Sequence, residues 1–327
     1  MALNKATLKD MYWAMLLARR LDERAWVLHR QGKIAFHISG IGQEAAQVGA
    51  AFALQRGVDW IVPYYRDLAL MIAFDFTAKE YMLSLFGKKG ETTSGARQMP
   101  NHWSMRSANI VSHSSPVATQ TPHASGIGLA IKMRGDDAVV LTSIGEGSTS
   151  QGEWYEGVNW AAIHKLPVLF MVENNVYAIS VPQERQMAVE RVADKAKGLG
   201  LPGLSVDGLD PIAVHDAVSD SAAHARKGEG PTLIEVRVSR MTPHSSDDDD
   251  RSYRTREEVE DMKARDPLPI FGAHLLNSKV IGQSELNNLD EKAKAEVDEA
   301  VEHADGAPYP EVAEAMYPVY VEDIKHG

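Results

Sequence analysis

At 327 residues and 44% hydrophobic content, the chain is long enough for one large α/β domain or two smaller ones. A formal net charge of −11 argues against a nucleic-acid partner, and the absence of cysteine excludes disulfides, thiolate zinc sites and cysteine nucleophiles. No run of about 18 apolar residues occurs and residues 1–20 lack a signal-peptide pattern, so no membrane partner is expected and the expected location is cytoplasmic.

Thr7-Leu8-Lys9-Asp10 resembles a helix-start box, and Leu8, Met11, Tyr12 and Met15 follow at spacings of three and four, which predicts an amphipathic helix. The charges of Arg19, Arg20, Asp22, Glu23 and Arg24 read as its solvated face or a partner contact, with no chemistry assigned. Residues 32–40 form a short extended segment between glycines, and Gly42-Gln43-Glu44 opens an alanine-rich helix to about Leu54. Within that segment Phe36 reads as core and His37 as a hydrogen-bonded structural histidine.

Trp60-Ile61-Val62 is an apolar strand running directly into Pro63-Tyr64-Tyr65-Arg66-Asp67, the position where α/β sheets place ligand contacts. Arg66 suits a phosphate through its planar, permanently charged fork, although a local pair with Asp67 is the plainer alternative. Thr77-Ala78-Lys79-Glu80 starts a further helix that ends at Gly87. Gly87-Lys88-Lys89 lacks the first glycine and the hydroxyl residue of a phosphate loop, and that reading is rejected.

Arg97-Gln98-Met99-Pro100-Asn101-His102-Trp103 follows neither helix nor strand periodicity, as pocket-lining loops often do. Ser114-Ser115-Pro116-Val117-Ala118-Thr119-Gln120 offers hydroxyls and carbonyls for a phosphate, an alkali cation or a helix cap. In the helix that follows, Gly126 and Gly128 lie inside the element rather than between strand and helix, which excludes a dinucleotide fingerprint.

The apolar run 138–143 leads into Gly145-Glu146-Gly147-Ser148, and the run 168–172 leads into Asn174-Asn175-Val176-Tyr177. Each turn is expected at a strand end, which brings the Glu146 carboxylate and the amides of Asn174 and Asn175 to one sheet edge. Hard divalent ions take such oxygen ligands and usually keep a phosphate in their shell. The flanking glycines and the start of a helix supply N–H groups for that phosphate, so the pattern points to a magnesium–diphosphate site. Two ordinary turns remain the plainer alternative.

A strand and turn at 203–208, a helix at 211–227 and a strand at 232–240 complete an alternation of strand and helix. The expected fold class is therefore α/β, with a mostly parallel central sheet and helices on both faces. After the last strand comes His244-Ser245-Ser246 and the run Asp247 to Asp250. Consecutive carboxylates cannot all converge on one ion, which leaves His244 as the group able to hold or release a proton near neutral pH. Residues 257–265, 267–276 and 285–303 read as outer helices. The apolar tail at 308–321, with Val312, Met316, Tyr317, Val319 and Tyr320, is expected to pack on a partner subunit.

Taken together, Pro63-Tyr64-Tyr65-Arg66-Asp67, Arg97-Gln98-Met99-Pro100, the 114–120 segment, Gly145-Glu146-Gly147 with Asn174-Asn175, and His244-Ser245-Ser246 resemble the alpha subunit of the thiamin diphosphate-dependent decarboxylating component of 2-oxoacid dehydrogenase complexes. The branched-chain type is the nearest match, and the resemblance covers nearly the whole chain. It implies a thiamin diphosphate-binding core at 59–265 between an N-terminal helical segment at 1–58 and a C-terminal helical extension and tail at 266–327. It implies that Glu146, the Asn175 side chain and the Tyr177 carbonyl hold magnesium, and that Tyr65, Arg66, Gly145, Gly147, Ser148 and His244 contact the diphosphate side of the cofactor. Ser115 and Val117 are implied at the cofactor ring, and Phe36, Tyr65, Met99, Pro100, Asn101, His102 and Ser115 at the 2-oxoacid pocket. Ser114, Thr119 and Gln120 match positions that bind potassium in some members, and Ser245 matches a position that mitochondrial relatives phosphorylate.

The sequence departs from the family pattern in carrying Gly-Glu-Gly where many relatives have Gly-Asp-Gly, and Glu173 where some have a basic residue. The family's aminopyrimidine-activating glutamate comes from a beta subunit, which implies a heterotetramer of two alpha and two beta chains. A lipoyl-bearing acyltransferase component is implied as the acceptor, and His244 as the residue that handles a proton or orients the intermediate. Pyruvate or acetoin as substrate, or a non-catalytic scaffold of the same fold, are the alternatives.

Overall fold

The computed structural model describes residues 3–316. Its strands are β1 (Trp60–Val62), β2 (Val140–Gly145), β3 (Val168–Asn174), β4 (Tyr177–Ala178), β5 (Val181–Pro182), β6 (Gly203–Asp207) and β7 (Thr232–Arg237). Its helices are α1 (Lys5–Arg30), α2 (Glu44–Phe52), α3 (Leu68–Ala73), α4 (Ala78–Phe86), α5 (Gln120–Arg134), α6 (Gly152–His164), α7 (Lys195–Leu199), α8 (Pro211–Arg226), α9 (Arg256–Ala264), α10 (Pro267–Asn277) and α11 (Gln283–Gly306). The main sheet runs β1-β2-β3-β7-β6 with every neighbouring pair parallel, and β4 and β5 form a small antiparallel hairpin beside it.

Both faces of a parallel sheet are covered by its crossover helices, so its strands are apolar throughout. Alternation along β3 then divides the residues between two layers. Leu169 and Met171 join the core built with α1, α2, α3, α4, α8, α10 and α11, whereas Val168, Phe170 and Val172 join the core built with α5, α6 and α7. The strand–helix alternation read from the sequence is thus the observed architecture, and the strand ends carrying Gly145 and Asn174 lie side by side.

Helix α1 starts a turn earlier than the Thr7 box, because Asn4 Oδ1 accepts the Thr7 N–H at 2.9 Å and serves as the cap. Its charged stretch is only in part a solvated face: Glu23 is exposed and Arg20 and Arg24 are half-buried. Arg19 and Asp22 are buried, and Arg19 donates to Glu44 at 2.6 Å and to both oxygens of Asp266 at 2.7 and 2.9 Å. The reason is tertiary: α11 lies along α1 in the same direction, so that Lys9, Arg20 and Arg24 meet Glu285, Asp290 and Asp298 in succession. The charges on this helix join it to three others.

Elsewhere local chemistry sets the boundaries as expected. Thr77 and Glu80 form a full capping box on α4, and Gly87 closes it in the left-handed conformation. Lys88 follows as a buried tether to the carbonyls of Asp305 and Ala307 at 3.2 and 2.9 Å, in keeping with the rejection of a phosphate loop. At the tail, Tyr309 and Val312 are exposed; the Met316 side chain and residues 317–320, on which the packing expectation also rests, lie outside the described residues.

Candidate functional site

At the end of β2 the chain enters a short 3-10 turn, Glu146–Ser150, before α6 begins. Glu146 is buried there and accepts the Asn175 N–H at 3.2 Å and Gln186 Nε2 at 3.3 Å, and burial pushes its carboxyl above the usual range. No lysine or arginine among the described residues is within ion-pair distance of it. The Asn175 side-chain oxygen is buried with no hydrogen-bond partner among the described residues, and the Tyr177 carbonyl accepts a long bond from Arg240, at 3.5 Å. A buried anion and an orphaned amide oxygen are costly unless something fills the space between them.

Asn174 does not join this set. Its Nδ2 donates to Glu235 at 2.7 Å and Gln183 at 2.9 Å, and its Oδ1 accepts the Val176 N–H at 3.0 Å. Side chains alternate along a strand, so two adjacent asparagines at its end face opposite ways. Gly147 is needed for close approach: a Cβ on it would stand 2.6 Å from the Ala178 Cβ. Gly145 and Ser148, half-buried, flank the pair.

Arg66 follows β1. It is buried, and among the described residues it forms no ion pair with Asp67, so the local pairing alternative fails. Its guanidinium donates to the Ser39 carbonyl at 2.6 Å, to His244 Nδ1 at 2.9 Å and to the His244 carbonyl at 3.0 Å. Because an arginine can only donate, His244 Nδ1 must accept and its proton sits on Nε2. Burial, then Arg66 and Arg240, drives His244 down to about 3. It is a neutral imidazole, not the near-neutral titrating group expected from the sequence. The Tyr65 ring meets it edge-on at 6.2 Å.

Asp67 instead accepts the Tyr64 N–H at 2.9 Å and the Ser143 hydroxyl, tying β1 to β2. Glu173, the departure noted on β3, is buried behind the same turn and accepts Gln47 Nε2 at 3.0 Å. Burial and then Asp67 push its carboxyl well above the ordinary range, while burial brings Asp67 up to about 6. Two buried carboxyls side by side disfavour ionising together, and the upward push falls harder on Glu173.

A second group of residues surrounds His102. Its Nε2 hydrogen-bonds the Ser115 hydroxyl at 2.6 Å and its Nδ1 the Pro100 carbonyl at 3.2 Å. Asn101, buried at a φ of 66°, meets the Ile38 backbone through Oδ1 at 3.5 Å and Nδ2 at 3.4 Å. Phe36 and Pro100 are half-buried, whereas Ser115, Met99 and Val117 stand exposed, the last two at 50% and 47%. Ser114 and Thr119 share a hydroxyl bond of 2.9 Å, and Thr119 donates to the Pro116 carbonyl at 3.0 Å rather than capping α5. Gln120 donates to the Ser143 carbonyl at 3.2 Å, and its Oε1 is buried without a partner.

Several site neighbours carried no signal in the sequence. His113 stacks on His102 at 5.0 Å and 6°, with both ring nitrogens buried and without a partner, and burial followed by His102 lowers it to about 3. Gln186 reaches Glu146, and Lys195 holds the 3-10 turn through the Thr149 hydroxyl at 2.8 Å and carbonyl at 3.1 Å. Gln186 and Lys195 act across gaps of 40 and 46 residues, which no local motif could reveal.

No cluster of three or more histidine, aspartate or glutamate side chains among the described residues could hold a metal ion. One carboxylate, one amide oxygen and a carbonyl do suit a hard divalent cation that keeps phosphate oxygens and water in its remaining positions. Arg66 and the neutral His244 carry N–H donors of the kind phosphate oxygens accept, and the glycine at 147 keeps its backbone open to close approach.

The family model for the dehydrogenase E1 component matches residues 12–313. The chain is 52% identical to the 2-oxoisovalerate dehydrogenase subunit alpha of Bacillus subtilis, over 95% of this chain and 94% of that one. It is 38% identical to the pyruvate dehydrogenase E1 component subunit alpha of the same organism and 37% identical to that of Staphylococcus aureus, in both cases over 83% of the relative. With the sheet, the paired strand ends and the Arg66–His244 contact in place, the match over nearly the whole length makes this chain a member of the dehydrogenase E1 component family.

Proposed function

We propose that this chain is the alpha subunit of the decarboxylating component of a branched-chain 2-oxoacid dehydrogenase complex. It would work with a beta subunit, as two alpha and two beta chains, and deliver its acyl product to the lipoyl group of an acyltransferase component. The observation that carries this reading is the open oxygen set at the strand ends: a buried Glu146 that forms no ion pair among the described residues and a buried Asn175 oxygen with no partner. Its similarity to a 2-oxoisovalerate dehydrogenase alpha subunit exceeds that to the pyruvate enzymes and supports the branched-chain assignment.

Magnesium would be held by Glu146, the Asn175 Oδ1 and the Tyr177 carbonyl. The diphosphate would lie against Arg66, Tyr65, Ser148, His244 and the backbone at Gly145 and Gly147. When bound, thiamin diphosphate supplies the electron sink that decarboxylation of a 2-oxoacid requires. The chain's own residues bind and orient. Ser115 and Val117 would border the ring, and Phe36, Tyr65, Met99, Pro100, Asn101 and His102 would border the oxoacid; Ser114, Thr119 and Gln120 are the positions that would take a potassium ion, as in some members of the family. The exposure of Val117 and Met99 is consistent with a pocket that a second chain completes. His244, held as one tautomer by Arg66, presents its Nε2–H as a fixed donor in the acyl-transfer step.

The test is reconstitution with the beta chain, followed by calorimetric titration with thiamin diphosphate and magnesium and by turnover of a panel of 2-oxoacids. Wild type should bind and should turn over branched 2-oxoacids with the highest kcat/KM. Glu146→Ala should lose the binding signal, a weakening of at least about 100-fold for a lost charged ligand. Undiminished binding by Glu146→Ala, or a preference for pyruvate, would overturn the assignment concerned.

A further inference from the structure

The segment between α1 and α2, residues 37–42, lies between the two halves of the site and is hydrogen-bonded on both sides. Toward the end of β7 and the loop beyond it, the Ser246 N–H donates to the His37 carbonyl at 2.9 Å while the His37 N–H donates to the Ser246 hydroxyl at 3.1 Å. The Met241 and Ser239 N–H groups reach the carbonyls of Ile41 and Gly42, both at 3.4 Å. Toward β1, the Ser39 carbonyl receives Arg66, the same guanidinium that grips His244. The segment therefore serves as the seat of the His244 loop at both ends. Gly42 is obligatory in it: φ is +97°, and a Cβ would stand 2.4 Å from the Ser239 carbonyl oxygen.

The seat is held from behind by a closed set of buried polar groups. His37, fully buried, donates through Nε2 to Asp22 Oδ1 at 2.9 Å and accepts the Tyr81 hydroxyl at Nδ1, at 3.2 Å. Asp22 spends its second oxygen on the Gly40 N–H at 2.8 Å. Trp26 packs edge-on against the imidazole at 5.8 Å. One carboxylate on α1 thus fixes both the side chain at one end of the seat and the backbone three residues on, and Tyr81 on α4 fixes the ring's orientation.

We infer that Asp22, His37 and Tyr81 are positioning residues for the reaction: they hold the 37–42 seat, and the seat sets where His244 stands relative to Arg66. None of the three is among the residues proposed above to border substrate or cofactor. Displacing a functional group by about 1 Å can cost on the order of 100-fold in rate, so an effect passed through His244 should appear far more strongly in turnover than in cofactor affinity, which the other diphosphate contacts maintain. The inference rests on the reading of His244 given above.

The experiment is a double-mutant cycle in the reconstituted alpha–beta enzyme, read as the rate of acyl transfer to a lipoyl domain, with thiamin diphosphate and magnesium affinity measured alongside. His37→Phe keeps the ring volume and removes both hydrogen bonds; it should lower the transfer rate by roughly 10- to 100-fold while changing cofactor affinity less than about threefold. Tyr81→Phe removes a single hydroxyl, should cost several-fold, and keeps the test alive where His37→Phe does not fold. In a His244→Ala background either substitution should cost nothing further, because its effect is transmitted through the missing ring. Unchanged transfer in both single variants, or an equal loss with and without His244, overturns the positioning role. Full transfer by His244→Ala itself instead overturns the reading of His244, and the two failures are distinguishable.

Discussion

The corner at Glu146 and Asn175 and the seat at Asp22, His37 and Tyr81 are both built from buried polar side chains, yet they are finished differently. In the seat, both ring nitrogens of His37 and both oxygens of Asp22 have partners. At the corner the Asn175 oxygen has none, and the Glu146 carboxylate has no lysine or arginine within ion-pair distance among the described residues, Arg240 acting on it only from farther off. Buried polar groups are almost always paired, so an unpaired set at the ends of parallel strands is where the proposed ligand would complete the fold. A closed set marks the frame that holds it.

The largest expected effect tests the frame. Arg19 on α1 is buried between Glu44 and Asp266, each within 2.9 Å. Removing one partner of such a cluster leaves the other charges buried and uncompensated. Arg19→Ala should therefore destabilise the chain by about 3–5 kcal/mol, measured by denaturant unfolding. A loss below about 1 kcal/mol would mean that these charges act as an ordinary surface pair and that the division between open site and closed frame is misplaced.

A middle-sized effect comes from His113, which belongs with the open groups because neither ring nitrogen has a partner. Its folded-state value of about 3 lies below the ordinary 6.5, so the unfolded chain binds more protons between those values. Its contribution to stability is fully present above pH 6.5 and is lost as the pH falls toward 3. Each unit in that window costs at most about 1.4 kcal/mol. His113→Phe, which retains a flat ring against His102, should show a shallower acid slope in urea unfolding between pH 6 and 4, values chosen as roughly inside the linkage window. Identical slopes would show that the ring is not the buried, neutral group seen beside His102.

How far the sequence reveals these regions depends on how local their chemistry is. The strand ends, the glycine turns and the capping box on α4 are written in consecutive residues, and they were legible together with the parallel sheet they belong to. Arg66 was legible as a phosphate ligand candidate, but its grip on His244 joins residues far apart in the chain and appears only once β1 and β7 are placed. The α1 charges were misread for the same reason: a helix with polar residues on one side looks solvated until α11 is laid along it. Glu173 was visible as a departure from the family pattern, and its meaning came from Asp67, which packs against it from the turn after β1.

The adjacent pair Asn174 and Asn175 gives the smallest effects and the sharpest form of the comparison, since one side chain belongs to the frame and the other to the site. Asn174 donates to Glu235 and Gln183 and accepts the Val176 N–H, all at 3.0 Å or less. Asn174→Ala removes those bonds and should cost about 1–3 kcal/mol of stability. Asn175 offers a buried oxygen with no partner, so Asn175→Ala removes an unsatisfied group and should change stability by less than about 1 kcal/mol. Its cost should appear as weaker magnesium and thiamin diphosphate binding by roughly tenfold or more. Urea unfolding and calorimetric titration of the two variants should therefore rank them in opposite orders. If Asn174→Ala instead proves the poorer binder and Asn175→Ala the less stable chain, the open oxygen is not a ligand position and the corner belongs to the frame.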